Sequence, residues 1–198
     1  MQTPIPIESR ALGTLAFIRS SIESSGSMAV PGMAGVVMGA IGVIAAIAAS
    51  LPRGAPHWLA IWLIAAALAL VLGGAMMARE TAHGGHARYL GPVRKFLLCL
   101  CPALLAGAVL TLVLWRSAAT GLIPGMWLLL YGCAVLSAST VTLPRTMRLI
   151  CMMGAIFVLL GVLAFASPVR FHNLILGMGF GALHTIFGTL LGQVSHGE

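Results

Sequence analysis

The chain has no aspartate, and its only acids are Glu8, Glu23, Glu80 and Glu198. None of the four lies inside a long apolar run, so paired-carboxylate catalysis and a buried acid relay are excluded at the outset. Charged residues make up 8% of the 198 and hydrophobic ones 60%, against about 25% and about 45–50% in soluble domains. Such a chain cannot cover itself with water-compatible side chains and needs hydrocarbon as its solvent. No run of Lys and Arg resembles a nucleic-acid tract. The net charge of +7 comes from basic residues scattered singly or in pairs between apolar stretches, as in the loops of membrane proteins. Cys99, Cys101, Cys133 and Cys151 all sit in apolar runs, which fits small packing residues and neither a disulfide framework nor a zinc site. Met1–Ser27 lacks a continuous apolar core, so no cleavable leader is expected. No nucleophile elbow, phosphate-cradling loop or zinc-protease helix signature is present. The expectation is a protein that is not an enzyme, with no catalytic residue, no metal and no cofactor.

Six apolar stretches are long enough to cross a hydrocarbon layer of about 30 Å as helix: approximately Gly32–Leu51, Trp58–Ala78, Phe96–Trp115, Ile123–Leu143, Leu149–Ala166 and Leu174–Gly192. They do not alternate polar with apolar, as barrel strands would. Backbone groups in lipid must satisfy one another, which forces helix. The predicted fold is all-α: a polytopic bundle of six transmembrane helices (28–198) behind a cytoplasmic N-terminal segment (1–27). Within that segment Ile7, Ala11, Leu12, Leu15, Ile18 and Ile22 recur at helical spacing, predicting an amphipathic helix over 7–24. It would lie on the membrane surface or pack on the end of the bundle.

Breakers fall between the stretches, at Pro52 and Pro56, at Gly121, Pro124 and Gly125, and at Pro144 and Pro168. Only Arg79–Lys95 forms a long polar connection. Arg10, Arg19, Arg79, Arg88, Arg94, Lys95, Arg145 and Arg148 collect on one side, and Arg53, Arg116 and Arg170 on the other. This bias places the first set, and both termini, in the cytoplasm. Trp58, Trp115 and Trp127 then mark the outer boundary.

Val30-Pro31-Gly32-Met33 and Ile123-Pro124-Gly125-Met126 share a pattern, and Gly39 and Gly132 continue it at the same offset of 93 (124 − 31). Two inverted three-helix halves, 30–115 and 123–192, would produce such a match. So would the commonness of Pro-Gly at helix starts.

One strongly polar ionisable residue, His184, lies inside the apolar stretches. A polar group at that depth needs a partner. It is an interhelical hydrogen-bonding residue, a proton-linked switch, a ligand contact or a metal or haem ligand, and Asn173 is the second polar candidate. With no second intramembrane His or carboxylate, His184 makes a poor metal site. His83-Gly84-Gly85-His86 reads as a solvated loop. Gly35 and Gly39, and Gly177, Gly181, Gly188 and Gly192, repeat at spacings that bring helix backbones close together, within the chain or between subunits. The expected partners are the lipid bilayer and a second copy or another membrane protein, with no nucleic acid.

Four stretches carry a resemblance: Phe17–Ser27 running into Val30-Pro31-Gly32, Pro92–Phe96, Pro124–Gly132 and Gly179–Gly188. Together they resemble a family of bacterial inner-membrane proteins that has no assigned activity. The resemblance implies a six-helix inner-membrane topology and leaves the function open. Two functions remain as expectations. One is a non-enzymatic subunit, scaffold or sensor partner. The other is a small transporter or channel for a neutral or apolar solute, with His184 lining the path.

Overall fold

The structure, a computed structural model, describes residues 13–15, 30–51, 54–83 and 90–196, with side chains at all of these except 80–83, 90–93, 195 and 196. The elements in order are α1 (Gly32–Ala49), α2 (Ala55–His83), α3 (Leu90–Arg116), α4 (Ile123–Ser139), α5 (Pro144–Ala166), α6 (His172–Leu176), a π-helical segment (Gly177–Leu183) and α7 (His184–His196). The last three run on as a single span. Short 3-10 turns, Thr120–Leu122 and Val169–Phe171, lead into α4 and α6. Among the described residues, six helical spans are long and apolar enough to cross a membrane. Of the expected amphipathic helix 7–24, only 13–15 are described, helical and exposed; the rest lies outside the described residues.

Several helix ends differ from the sequence expectation. α2 continues past Ala78 to His83 and α3 starts at Leu90, so helix occupies much of the expected polar connection Arg79–Lys95. Hydropathy marks where a helix leaves hydrocarbon, not where it stops winding. α5 begins at Pro144 itself, where a turn was expected. Proline suits the first turn of a helix, because the N–H it lacks would have had no partner there.

The core is formed by α4 and the last span, each with half of its most apolar window buried, whereas α3 has 6% buried. Phe157, Leu128 and Leu176 are fully buried at the centre. α1 packs antiparallel to the last span along a ladder of small residues. Gly177 faces Ala46, Gly181 faces Val43, Thr185 faces Gly39, Gly188 faces Gly35, and the backbone of Gly192 meets Gly32. The expected glycine contacts are therefore made within the chain. Gly192 takes part by its backbone alone, since a Cβ added there would meet nothing within 4 Å. A second ladder, absent from the sequence reading, joins α4 to α5. A Cβ on Gly161 would lie 2.8 Å from the Leu129 nitrogen, and one on Gly154 would lie 3.1 Å from the Gly132 oxygen. α2 packs on α1 and α3 packs on α4. α2 and α3 therefore stand as two outer walls.

α3 closes with a strained cap. The Ala119 N–H donates to the Leu114 carbonyl at 2.9 Å and the Ala118 N–H to that of Trp115 at 3.2 Å, the double bond pattern of a Schellman cap. Its left-handed position holds Ala118 at φ 55, where a Cβ costs about 1–2 kcal/mol. Ala118→Gly is expected to stabilise the protein by about 1 kcal/mol, read as a higher midpoint of unfolding in mixed detergent micelles.

Candidate functional site

His184 opens α7 directly after the π-helical segment. Gly177, Gly179 and Gly181 make a regular helix there less favourable, at about 1 kcal/mol each relative to alanine. They also let two neighbours press in from opposite sides. A Cβ on Gly179 would lie 2.7 Å from Leu128 of α4, and one on Gly181 2.8 Å from Val43 of α1. The wide turn accommodates both approaches, and such turns recur at functional sites.

His184 is 3% exposed. Its Nε2 lies 2.7 Å from the hydroxyl of Tyr131, midway along α4, and its Nδ1 lies 3.4 Å from the Gly179 carbonyl. Aromatic rings enclose the pair. Phe157 stands edge-on to both Tyr131 and His184, at 4.8 and 5.2 Å, and Phe180 stacks on the imidazole at 6.1 Å. Interhelical bonding, one of the roles expected of His184, is therefore present, with Tyr131 as its partner. The sequence signal for Tyr131 is a phenol in mid-span, since tyrosines of membrane helices gather at the interfaces.

Asn173 does not join His184. Its side-chain amide donates to the Ala46 carbonyl at 2.7 Å, and its oxygen accepts from the Trp62 indole at 3.1 Å, tying α6 to α1 and α2. Towards one end of the bundle Trp58 of α2 stacks on Trp127 of α4, with ring centres 5.9 Å apart. The Trp127 indole donates to Thr111 of α3 at 2.8 Å, and the Thr111 hydroxyl donates to the Gly107 carbonyl at 2.6 Å. Trp127, expected only as a boundary residue, is thus part of the polar link between α3 and α4.

Between the outer walls lies a cleft of about 290 Å³. Met38 and Ile41 of α1, Trp62 and Ala66 of α2, and Leu104 and Gly107 of α3 form its sides. Trp127, Tyr131, Phe180 and His184 line its inner end. The surface is almost wholly apolar, and the Tyr131–His184 pair contributes polar atoms at its deepest part. A broader groove of about 680 Å³ lies between α1 and the start of the last span, beside Ile47, Arg170 and Leu174. Asn173, at its edge, is already engaged as described. His172 is buried and bonds the Ser167 carbonyl at 3.0 Å, while His57 is exposed. His83 ends α2, and His86 lies outside the described residues. Among the described residues, no three His, Cys, Asp or Glu side chains come together. Nor does any buried side-chain nitrogen or oxygen lack a hydrogen-bond partner there.

The arrangement can hold an uncharged apolar molecule against a single polar pair. Its lining carries no Lys, Arg, Asp or Glu side chain to pair with an ionic substrate. No family model matches the chain, and neither a curated protein nor a solved structure matches it.

Proposed function

We propose that this chain is a non-enzymatic protein of the bacterial inner membrane that takes up a small neutral, apolar solute in the cleft between α2 and α3, as a carrier or channel. The observation that carries this reading is the cleft itself. It is apolar along its walls, reaches the buried Tyr131–His184 pair, and has no charged side chain on its lining. Its volume stands at the low end of small-molecule sites, which favours a compact solute over a whole lipid. Both termini face the cytoplasm in this reading, which rests on the distribution of basic residues.

Two inverted halves belong to the same proposal. The packing supports them in part. Exchanging the first three spans with the last three turns the α1–α2 contact into α4–α5, and the contact of α1 with the last span into α4–α3. The glycines speak against a close repeat, because Gly32 and Gly39 meet the last span whereas Gly125 and Gly132 meet α5.

The second reading, a subunit or scaffold, is favoured by the outer walls. α2 and α3 bury only 11% and 6% of their most apolar windows, which leaves faces for a second copy or another membrane protein as well as for lipid.

Trp62 and Trp127 line the cleft, so their emission reports its occupancy. In lipid nanodiscs, added geraniol is expected to shift that emission with saturation. A Cβ at Gly107 would touch only Leu130, at 3.7 Å, so Gly107→Phe should fill the cleft without moving backbone. We expect it to weaken the response at least about tenfold while leaving the unfolding midpoint nearly unchanged, as for other sites free of such contacts. An undiminished response in Gly107→Phe would remove the cleft from consideration.

A further inference from the structure

The polar atoms around the cleft form a directed set. The Trp62 indole N–H is spent on Asn173, and the Trp127 N–H on Thr111. The Thr111 hydroxyl is spent on the Gly107 carbonyl. At His184, Nδ1 faces the Gly179 carbonyl. A carbonyl can only accept, so Nδ1 carries the hydrogen. No acidic side chain lies within the spans to balance a cation, so the ring is neutral and Nε2 is an acceptor. The Tyr131 hydroxyl must then donate to Nε2. Every side-chain donor lining the cleft is therefore committed. What remains are acceptor lone pairs, on the Tyr131 oxygen at the inner end and on Thr111 nearer the rim.

We propose that the cleft selects a solute that brings its own hydrogen-bond donor: a neutral, apolar alcohol or phenol whose hydroxyl donates to the Tyr131 oxygen. This inference rests on the cleft being the solute site, and it adds the direction of the hydrogen bond. A ketone, aldehyde or ether of the same shape gains nothing from these walls, because its oxygen meets only other acceptors and loses whatever hydration it had. Bonding to Tyr131 is cooperative with the bond it already makes, since a phenol that accepts becomes a better donor to His184.

The test compares geraniol, its aldehyde geranial and the hydrocarbon myrcene in nanodiscs. Each is titrated as a mole fraction of the bilayer, with tryptophan emission as the signal. Geraniol is expected to bind about fivefold more tightly than the other two, the ratio of one modest hydrogen bond. In the double variant Tyr131→Phe/His184→Leu, which leaves no acceptor at the inner end of the cleft, the three should bind alike, at the level of myrcene in the parent protein, and that retained myrcene response shows the variant is folded. Equal binding of geraniol and geranial to the parent protein, or a geraniol preference that survives in the double variant, overturns the donor rule while leaving the cleft as a site. If none of the three changes the emission, the cleft reading fails and this inference fails with it.

Discussion

Gly188→Leu is expected to abolish most of the folded protein. A Cβ at this position would lie 2.6 Å from the Val36 nitrogen and 2.8 Å from the Gly32 oxygen. Both are backbone atoms of α1, so no rotamer change relieves the contact, and the helices must separate. Separation is not local, because Gly35, Gly39 and Gly42 meet the same span at equally close range. Overpacking in a tight core costs about 1–3 kcal/mol where side chains can adjust. Here backbone must move and the small-residue contacts are lost with it, so we expect more than about 3 kcal/mol. Total stabilities run to about 5–15 kcal/mol. Association of helices in lipid depends on this kind of close contact, since burial from water no longer drives it. The control is Gly74→Leu on α2, where an added Cβ would meet nothing within 4 Å, and it should behave as the parent. Yield of monodisperse protein and the unfolding midpoint in mixed micelles measure the difference. Comparable values for the two variants would contradict the packing described for α1.

The second large effect concerns the buried polar pair. His184→Leu leaves the Tyr131 hydroxyl without its acceptor among Phe157 and Phe180, and we expect a loss of about 2–3 kcal/mol. Tyr131→Phe is milder, because it removes only an oxygen and leaves an unfilled lone pair on the imidazole. The double variant removes both polar groups at once. Apolar replacement of both partners is close to neutral in general, so its cost should fall below the sum of the single variants by about 1 kcal/mol or more. Strict additivity in that cycle would mean that the two side chains are not coupled.

The six spans were readable because hydrocarbon imposes a simple rule: a run of about 20 apolar residues must be helix. The small-residue ladder on α1 and the last span was readable for a similar reason, since Gly35, Gly39, Gly177, Gly181 and Gly188 recur at helical spacing. Partner choice was not. Nothing in the spacing tells His184 to meet Tyr131 and not Asn173, because that depends on how α4 and the last span are rotated against each other. The glycines at 154 and 161 went unread because they lie in a stretch otherwise full of large apolar residues. The cleft was also beyond reach. It exists because α2 leans on α1 and α3 leans on α4, and a connection that looked merely long and polar says nothing about the space between its ends.

The π-helical segment fixes more than the shape of one turn. Each residue of a regular helix advances by about 100°, so a helix that rewound through Gly177–Leu183 to the ordinary pitch would turn everything beyond it. Gly188 would swing away from α1, and the imidazole would leave the phenol. The single wide turn is thus the joint that phases the two ends of the last span. Its first part is clocked to the Asn173 tether and its second to the glycine ladder, and His184 sits at the seam where the two settings meet.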